Sequence, residues 1–265
     1  GGEYREIRQM GLEYIGAGRG YAQAEVVGLA LSSLRVISRE YSLDISHMGF
    51  IAGLIRALGL DGQCAKRVLD ALRSKNRTEI ARIAASLPVD GAGKETLMSV
   101  AQIRGPLNEA LAEAAKLCLD REMAEAVEEL YELEETLRLW EGAENAFLDF
   151  SVINDLDYYN GIVFRGYVRE VPRAVLAGGR YDNLLRRFGK PQPAIGFALY
   201  LSDLDRVFHE PREYDADILL LYGDAPGQAV ARAVSSLISQ GFSVRAEKTA
   251  PRGVRARRVL TINNE

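Results

Sequence analysis

The chain has 265 residues, 48% of them hydrophobic and 26% charged, with a formal charge of −4. That length buries one large core and a smaller second one without help from metals or disulfides. The acidic balance gives no general attraction to nucleic acid, and no apolar run approaches the roughly 20 residues that span a bilayer, so neither partner is expected and a cytoplasmic setting is.

In chain order, residues 3–15 alternate weakly and predict a strand, which glycines 16, 18 and 20 end. The chain opens on Gly1-Gly2 without a methionine and enters this strand at once, so a preceding N-terminal part is expected. Residues 22–39 carry Val26, Val27, Leu29, Ala30, Leu34 and Ile37 at helical spacing, as in a helix packed on a sheet. Residues 41–50 predict the next strand. From 51 to about 144 helix follows helix, with caps or breaks at Asp61-Gly62, Leu87-Pro88, Asp90-Gly91 and Gly105-Pro106. This block reads as a helical insertion in a sheet domain. Cys64 and Cys118 fall inside it without the spacing of a zinc site or a disulfide frame, so no metal and no cofactor is expected. Over 122–140, Leu130, Leu133, Leu137 and Trp140 share one helical face, either turned to the core or serving as a partner-binding stripe.

Strand signals return over 146–168, followed by a turn at Gly178-Gly179, a short helix and an apolar segment at 194–204. A break at 209–215, containing Pro211, separates a last unit with a strand at 217–222, a helix at 228–240 and strands at 242–246 and 258–262. Arg252, Arg255, Arg257 and Arg258 in this unit read as a solvated edge. The fold class expected is α+β: an antiparallel sheet with flanking helices and a helical insertion over 1–210, plus a small α/β unit over 211–265.

Three segments carry the chemistry: GEYREIRQMGLE (2–13), LDYYNGIVF (156–164), and AGGRYDNLLRRFG (177–189) running into PAIGFALYL (193–201). In order and in content they resemble histidyl-tRNA synthetase, a class II aminoacyl-tRNA synthetase, matching the second half of motif 2, two histidine-specific motifs and motif 3. The resemblance covers about residues 2–205. In the first segment Gln9, Gly11 and Glu13 share a strand face at roughly 6.6 Å spacing. The resemblance implies that Gln9 and Glu13 hold the α-amino group and the imidazole of histidine. A carboxylate suits that ring because it accepts an N–H bond and favours the charged form. A solvent-facing polar strand is the plainer alternative. Tyr158 and Tyr159 match the residues placed against the ligand, although neighbours in a strand face opposite ways unless a turn intervenes. Tyr159 is the one expected to reach it. Gly178 and Gly179 bring backbone close to a ligand or simply make a tight hairpin.

The departures concern ATP. Adenylate formation builds negative charge that fixed cations stabilise, one such donor being worth about 2.7–4 kcal/mol. The family's arginine before Gly-Leu-Asp-Tyr-Tyr is Asn154 here, its motif 3 arginine is Asp203, and a motif 2 loop arginine matches Glu3. Tyr200 replaces a glycine and is expected to crowd the adenine side. A histidine pocket without adenylation residues looks like the ATP phosphoribosyltransferase regulatory subunits. That resemblance implies no catalytic residues, a short-form catalytic phosphoribosyltransferase as partner, a homodimer, and histidine as ligand. The last unit then looks like a truncated anticodon-binding domain. A divergent or truncated histidyl-tRNA synthetase is the alternative.

Overall fold

The computed structural model describes residues 8–16, 19–154, 158–187, 189–190, 192–208 and 214–262. The chain forms two compact units, Gly1–Val207 and Phe208–Glu265. The first opens with strand β1 (Gln9–Ile15), helix α1 (Tyr21–Ile37) and β2 (Tyr41–His47). Helices α2 (Met48–Ala57), α3 (Gly62–Arg73), α4 (Arg77–Ser86) and α5 (Gly91–Val100) follow, then β3 (Arg104–Pro106), α6 (Leu107–Ala115) and α7 (Arg121–Leu137). The unit closes with β4 (Ala146–Asp149), β5 (Ile162–Val168), β6 (Leu176–Arg180), α8 (Asp182–Arg187), β7 (Ala194–Tyr200) and α9 (Leu201–Phe208).

Seven strands form one sheet in the order β1-β7-β6-β5-β2-β4-β3, antiparallel throughout except for β2 beside β4. A parallel pair needs a long crossover, and the helical block between β2 and β4 supplies it. One face of the sheet is apolar, with Leu43, Ile45 and Phe164 fully buried, and α1 and α7 pack toward it. Helix α1 presents Ala24, Val27, Leu31 and Leu34 at helical spacing to that face. Full burial of Leu31 and Leu34 contributes roughly 1.5–3 kcal/mol each. The other face carries polar side chains and holds the candidate site.

Several expectations meet corrections. The strand expected over 41–50 stops at His47, whose ring nitrogen Nδ1 accepts the Gly49 N–H at 3.1 Å and so caps α2. The breaks at Asp61 and Asp90 are N-caps of α3 and α5, but the break at Gly105-Pro106 is strand β3, paired with β4. Helix α7, capped by Asp120, turns Leu130, Leu133 and Leu137 inward and ends there, so Trp140 leaves the helical face and packs over Gly28 of α1. Gly178 and Gly179 make no turn. Both lie inside β6, paired with β5 on one side and β7 on the other.

The second unit is a parallel sheet in the order β10-β8-β9, built from β8 (Ala216–Leu221), β9 (Val244–Glu247) and β10 (Ala256–Thr261), with one helix, α10 (Gly227–Ser239). Arg252, Arg255, Arg257 and Arg258 are exposed on it. No helix among the described residues is long and apolar enough to cross a membrane.

Candidate functional site

The polar face of the sheet is assembled by register. Gln9, Gly11 and Glu13 of β1 stand opposite Tyr200, Ala198 and Gly196 of β7, and the same rows continue through Ala177 and Gly179 of β6 to Arg165 and Val163 of β5. Directly paired residues share a face, so these side chains look out on the same side. Glu13 lies over Gly196, where a Cβ would stand 2.0 Å from its Oε2. Only glycine at 196 leaves room for that carboxylate.

Glu13 accepts a hydrogen bond from the Tyr181 hydroxyl. The rings of Tyr158 and Tyr159 lie 4.5 Å apart, and they stand 5.7 and 6.3 Å from that of Tyr181. Burial, then the contact with Glu13, raises the Tyr181 phenol far above the usual tyrosine range. Burial, then the neighbouring tyrosines and Glu13, pushes Tyr159 up to about 12. All three phenols therefore stay neutral donors at neutral pH beside one carboxylate. A cationic N–H donor is what this arrangement would bind best.

The six expected site residues divide. Glu13, Tyr158 and Tyr159 come together. The two tyrosines precede β5 rather than lying in it, so the strand rule that would send them to opposite faces does not apply. The glycine pair splits between the faces. Gly179 faces the site, where a Cβ would stand 2.8 Å from the Tyr159 ring, and its absence lets that ring lie against the sheet. Gly178 faces the helices, with Phe164 and Phe197 filling the space beside it. Gln9 shares the face of Glu13 but sits four residues up the strand, beside Tyr200. Tyr181, which lies in the AGGRYD segment but was not among the six, joins the cluster through Glu13.

Two hydrogen bonds fix the turn that carries Tyr181 to the loop that carries Tyr159. Asn160 Oδ1 accepts from the Asp182 N–H at 3.0 Å, and Asn160 Nδ2 donates to Asp182 Oδ2 at 3.3 Å. Asp182 also accepts the Ala194 N–H at 2.9 Å and the Arg180 guanidinium at 2.8 Å. Burial raises the Asp182 carboxyl, but Arg180 and the Ala194 amide outweigh it and leave it below the usual range.

Beside the tyrosines the same face opens into a groove of about 450 Å³ lined by Asn154, Tyr158, Tyr159, Arg165, Ala177 and Tyr200. Its cation is engaged: Arg165 donates to Asn154 Oδ1 at 3.0 Å. Nearby, Arg173 is paired with Asp203. Asn154 and Asp203 thus each hold an arginine from elsewhere in the chain. Glu3 lies outside the described residues. Farther along, the buried Asp149 is met by Lys75 at 2.6 Å and Arg104 at 3.4 Å. Lys75 is the one non-glycine residue with positive φ among the described residues, held at 52° where α3 turns into α4.

Comparison with known proteins gives three findings. The family model described as Histidyl-tRNA synthetase matches residues 1–204. The ATP phosphoribosyltransferase regulatory subunit of Geobacter metallireducens is 35% identical over 216 residues, covering 81% of this chain and 50% of that protein. The chain spans about half the length of the curated relatives it matches. Among solved structures, an ATP phosphoribosyltransferase regulatory subunit/histidyl-tRNA synthetase from Bacillus halodurans C superposes with a TM-score of 0.76 at 26% identity, covering 96% of this chain and 68% of that one. The fold also recurs in the ATP phosphoribosyl transferase (HisG:HisZ) complex of Thermotoga maritima, at a TM-score of 0.58 and 19% identity, over 73% of this chain and 66% of that one.

Proposed function

Because the chain belongs to the histidyl-tRNA synthetase family, and its curated relatives are ATP phosphoribosyltransferase regulatory subunits, we propose that it is a regulatory subunit without catalysis of its own. Its partner is a short-form catalytic ATP phosphoribosyltransferase, which it activates in the first step of histidine biosynthesis. Histidine binds at Glu13 and feeds back on that step. The working assembly contains a homodimer of this chain and acts in the cytoplasm, and the second unit is an anticodon-binding-like domain.

The observation that carries this reading is the unequal state of two neighbouring subsites. On the amino-acid side, Glu13 and the three tyrosines offer an imidazolium a carboxylate and an aromatic wall. In the adjoining groove Arg165 is held by Asn154, and outside its lining Arg173 is held by Asp203, so an α-phosphate would have to compete for them. Histidine is recognised there without being activated. Feedback follows if the ligand binds two assembly states with different affinity, since a ligand shifts an equilibrium only by that difference.

The test mixes the full-length protein with a short-form phosphoribosyltransferase and follows phosphoribosyl-ATP formation with and without histidine. Co-elution, stimulation on mixing and inhibition by histidine are expected. The absence of both stimulation and co-elution would overturn the reading. Histidine-dependent ATP–pyrophosphate exchange by this protein alone would replace it with that of a divergent synthetase.

A further inference from the structure

Arg180 and Tyr181 are adjacent in sequence and reach opposite sides of the sheet. Tyr181 meets Glu13 on the open side. Arg180 turns to the helical side, where Nη1 donates to Glu129 Oε1 at 3.3 Å while the rest of the guanidinium holds Asp182. Glu129 belongs to α7 and is 3% exposed. It also accepts from Gln23 Nε2 at 2.9 Å, pairs with Arg19 Nε at 3.1 Å and faces His47 Nε2 at 3.4 Å. A buried carboxylate is costly unless it is both paired and hydrogen-bonded, and this one is, from three separate parts of the fold. Through Asp182 and Asn160, Arg180 is tied to both segments that present the pocket's tyrosines.

We propose that Glu129 is a positioning residue of the pocket: acting through Arg180 and Asp182, it sets the places of Tyr181 and Tyr159 against Glu13. It touches no ligand. Its influence crosses the sheet because the successive residues Arg180 and Tyr181 make their contacts on opposite sides of it, and the guanidinium suits the task because its fork meets two carboxylates in fixed directions. Loosening Glu129 then weakens the pocket while leaving distant strands as they are. The ligand part of this inference rests on the histidine reading above.

The test uses full-length protein and two measurements. The first is amide hydrogen exchange without ligand in Glu129→Gln, which keeps the shape and removes the charge. Exchange over 158–161 and 177–182 is expected to speed up about tenfold, while β4 stays within about twofold of native, as for a local opening. The second is histidine affinity, expected to fall about tenfold, within the usual range of a coupling between sites. If Glu129→Gln does not fold, Arg180→Lys, which keeps the charge and loses the fork, carries the same two measurements. Unchanged exchange over 177–182, or acceleration shared equally by β4, would overturn the proposal, the latter marking a merely structural ion cluster. If native protein binds no histidine, the histidine reading falls and the exchange measurement still decides the role of Glu129.

Discussion

Glu129 ties part of the stability of the fold to pH. Burial pushes this carboxyl up, but His47, Arg19 and Gln23 outweigh it, and its pKa drops from the ordinary 4.5 to about 2. Since the folded value lies below the unfolded one, the native state holds the proton less tightly. The resulting stability is fully present above about pH 5 and is lost as the pH falls toward 2. The fall from 4.5 to about 2, at about 1.4 kcal/mol per pKa unit, makes the contribution roughly 3–4 kcal/mol. The assay is urea unfolding of native protein and Glu129→Gln at pH 7, 5, 4 and 3, followed by the fluorescence of Trp140, the single tryptophan, which packs on α1 of the first unit. The gap in unfolding free energy should be about equal at pH 7 and 5 and narrow through pH 4 to pH 3, with unchanged urea dependence. A gap constant to within about 0.5 kcal/mol across that range would refute the argument.

Two further substitutions probe other points. Gly196→Ala puts a methyl group where the Glu13 carboxylate lies and 2.4 Å from the Leu12 carbonyl oxygen. Histidine binding should vanish in calorimetry, and β1 amides should exchange faster while β4 and β5 keep their protection. Lys75→Met removes one of two cations from the buried Asp149. It should lower unfolding free energy by about 2 kcal/mol in urea melts, less than the 3–5 of a fully orphaned buried charge because Arg104 remains.

The alternation of Gln9, Gly11 and Glu13 could be read from the sequence because a strand's period is short and needs no partner to express itself. The caps at Asp61 and Asp90 were legible for the same local reason. The glycine pair misled, because a Gly-Gly step signals a turn whenever its neighbours are unknown. What requires glycine here is the Tyr159 ring on one side and Phe164 with Phe197 on the other, and these come from remote segments. Tyr158 and Tyr159 misled in the opposite sense, since the opposite-face rule belongs to strands and they precede one. Glu129 was overlooked although a signal existed. It stands three residues after Ala126 and four before Leu133, both buried, so a carboxylate sits inside the apolar stripe of α7. A charge in such a place asks for a partner.

The strand order also bears on how the protein is made. Glu13 and Tyr181 are 168 residues apart, and among the described strands β1 pairs only with β7. Of those strands β1 leaves the ribosome first, yet it finds its neighbour only after nearly the whole first unit has been synthesised. Until then the edge of β1 that pairs with β7 lacks that partner. Closing so long a loop is slow, and it makes the pocket the last part of the unit to come together. A nascent chain stalled before residue 194 would hold Glu13, Tyr158, Tyr159 and Tyr181 without the strand that lies between β1 and β6, so histidine capture by arrested chains of increasing length would time the closure of the sheet.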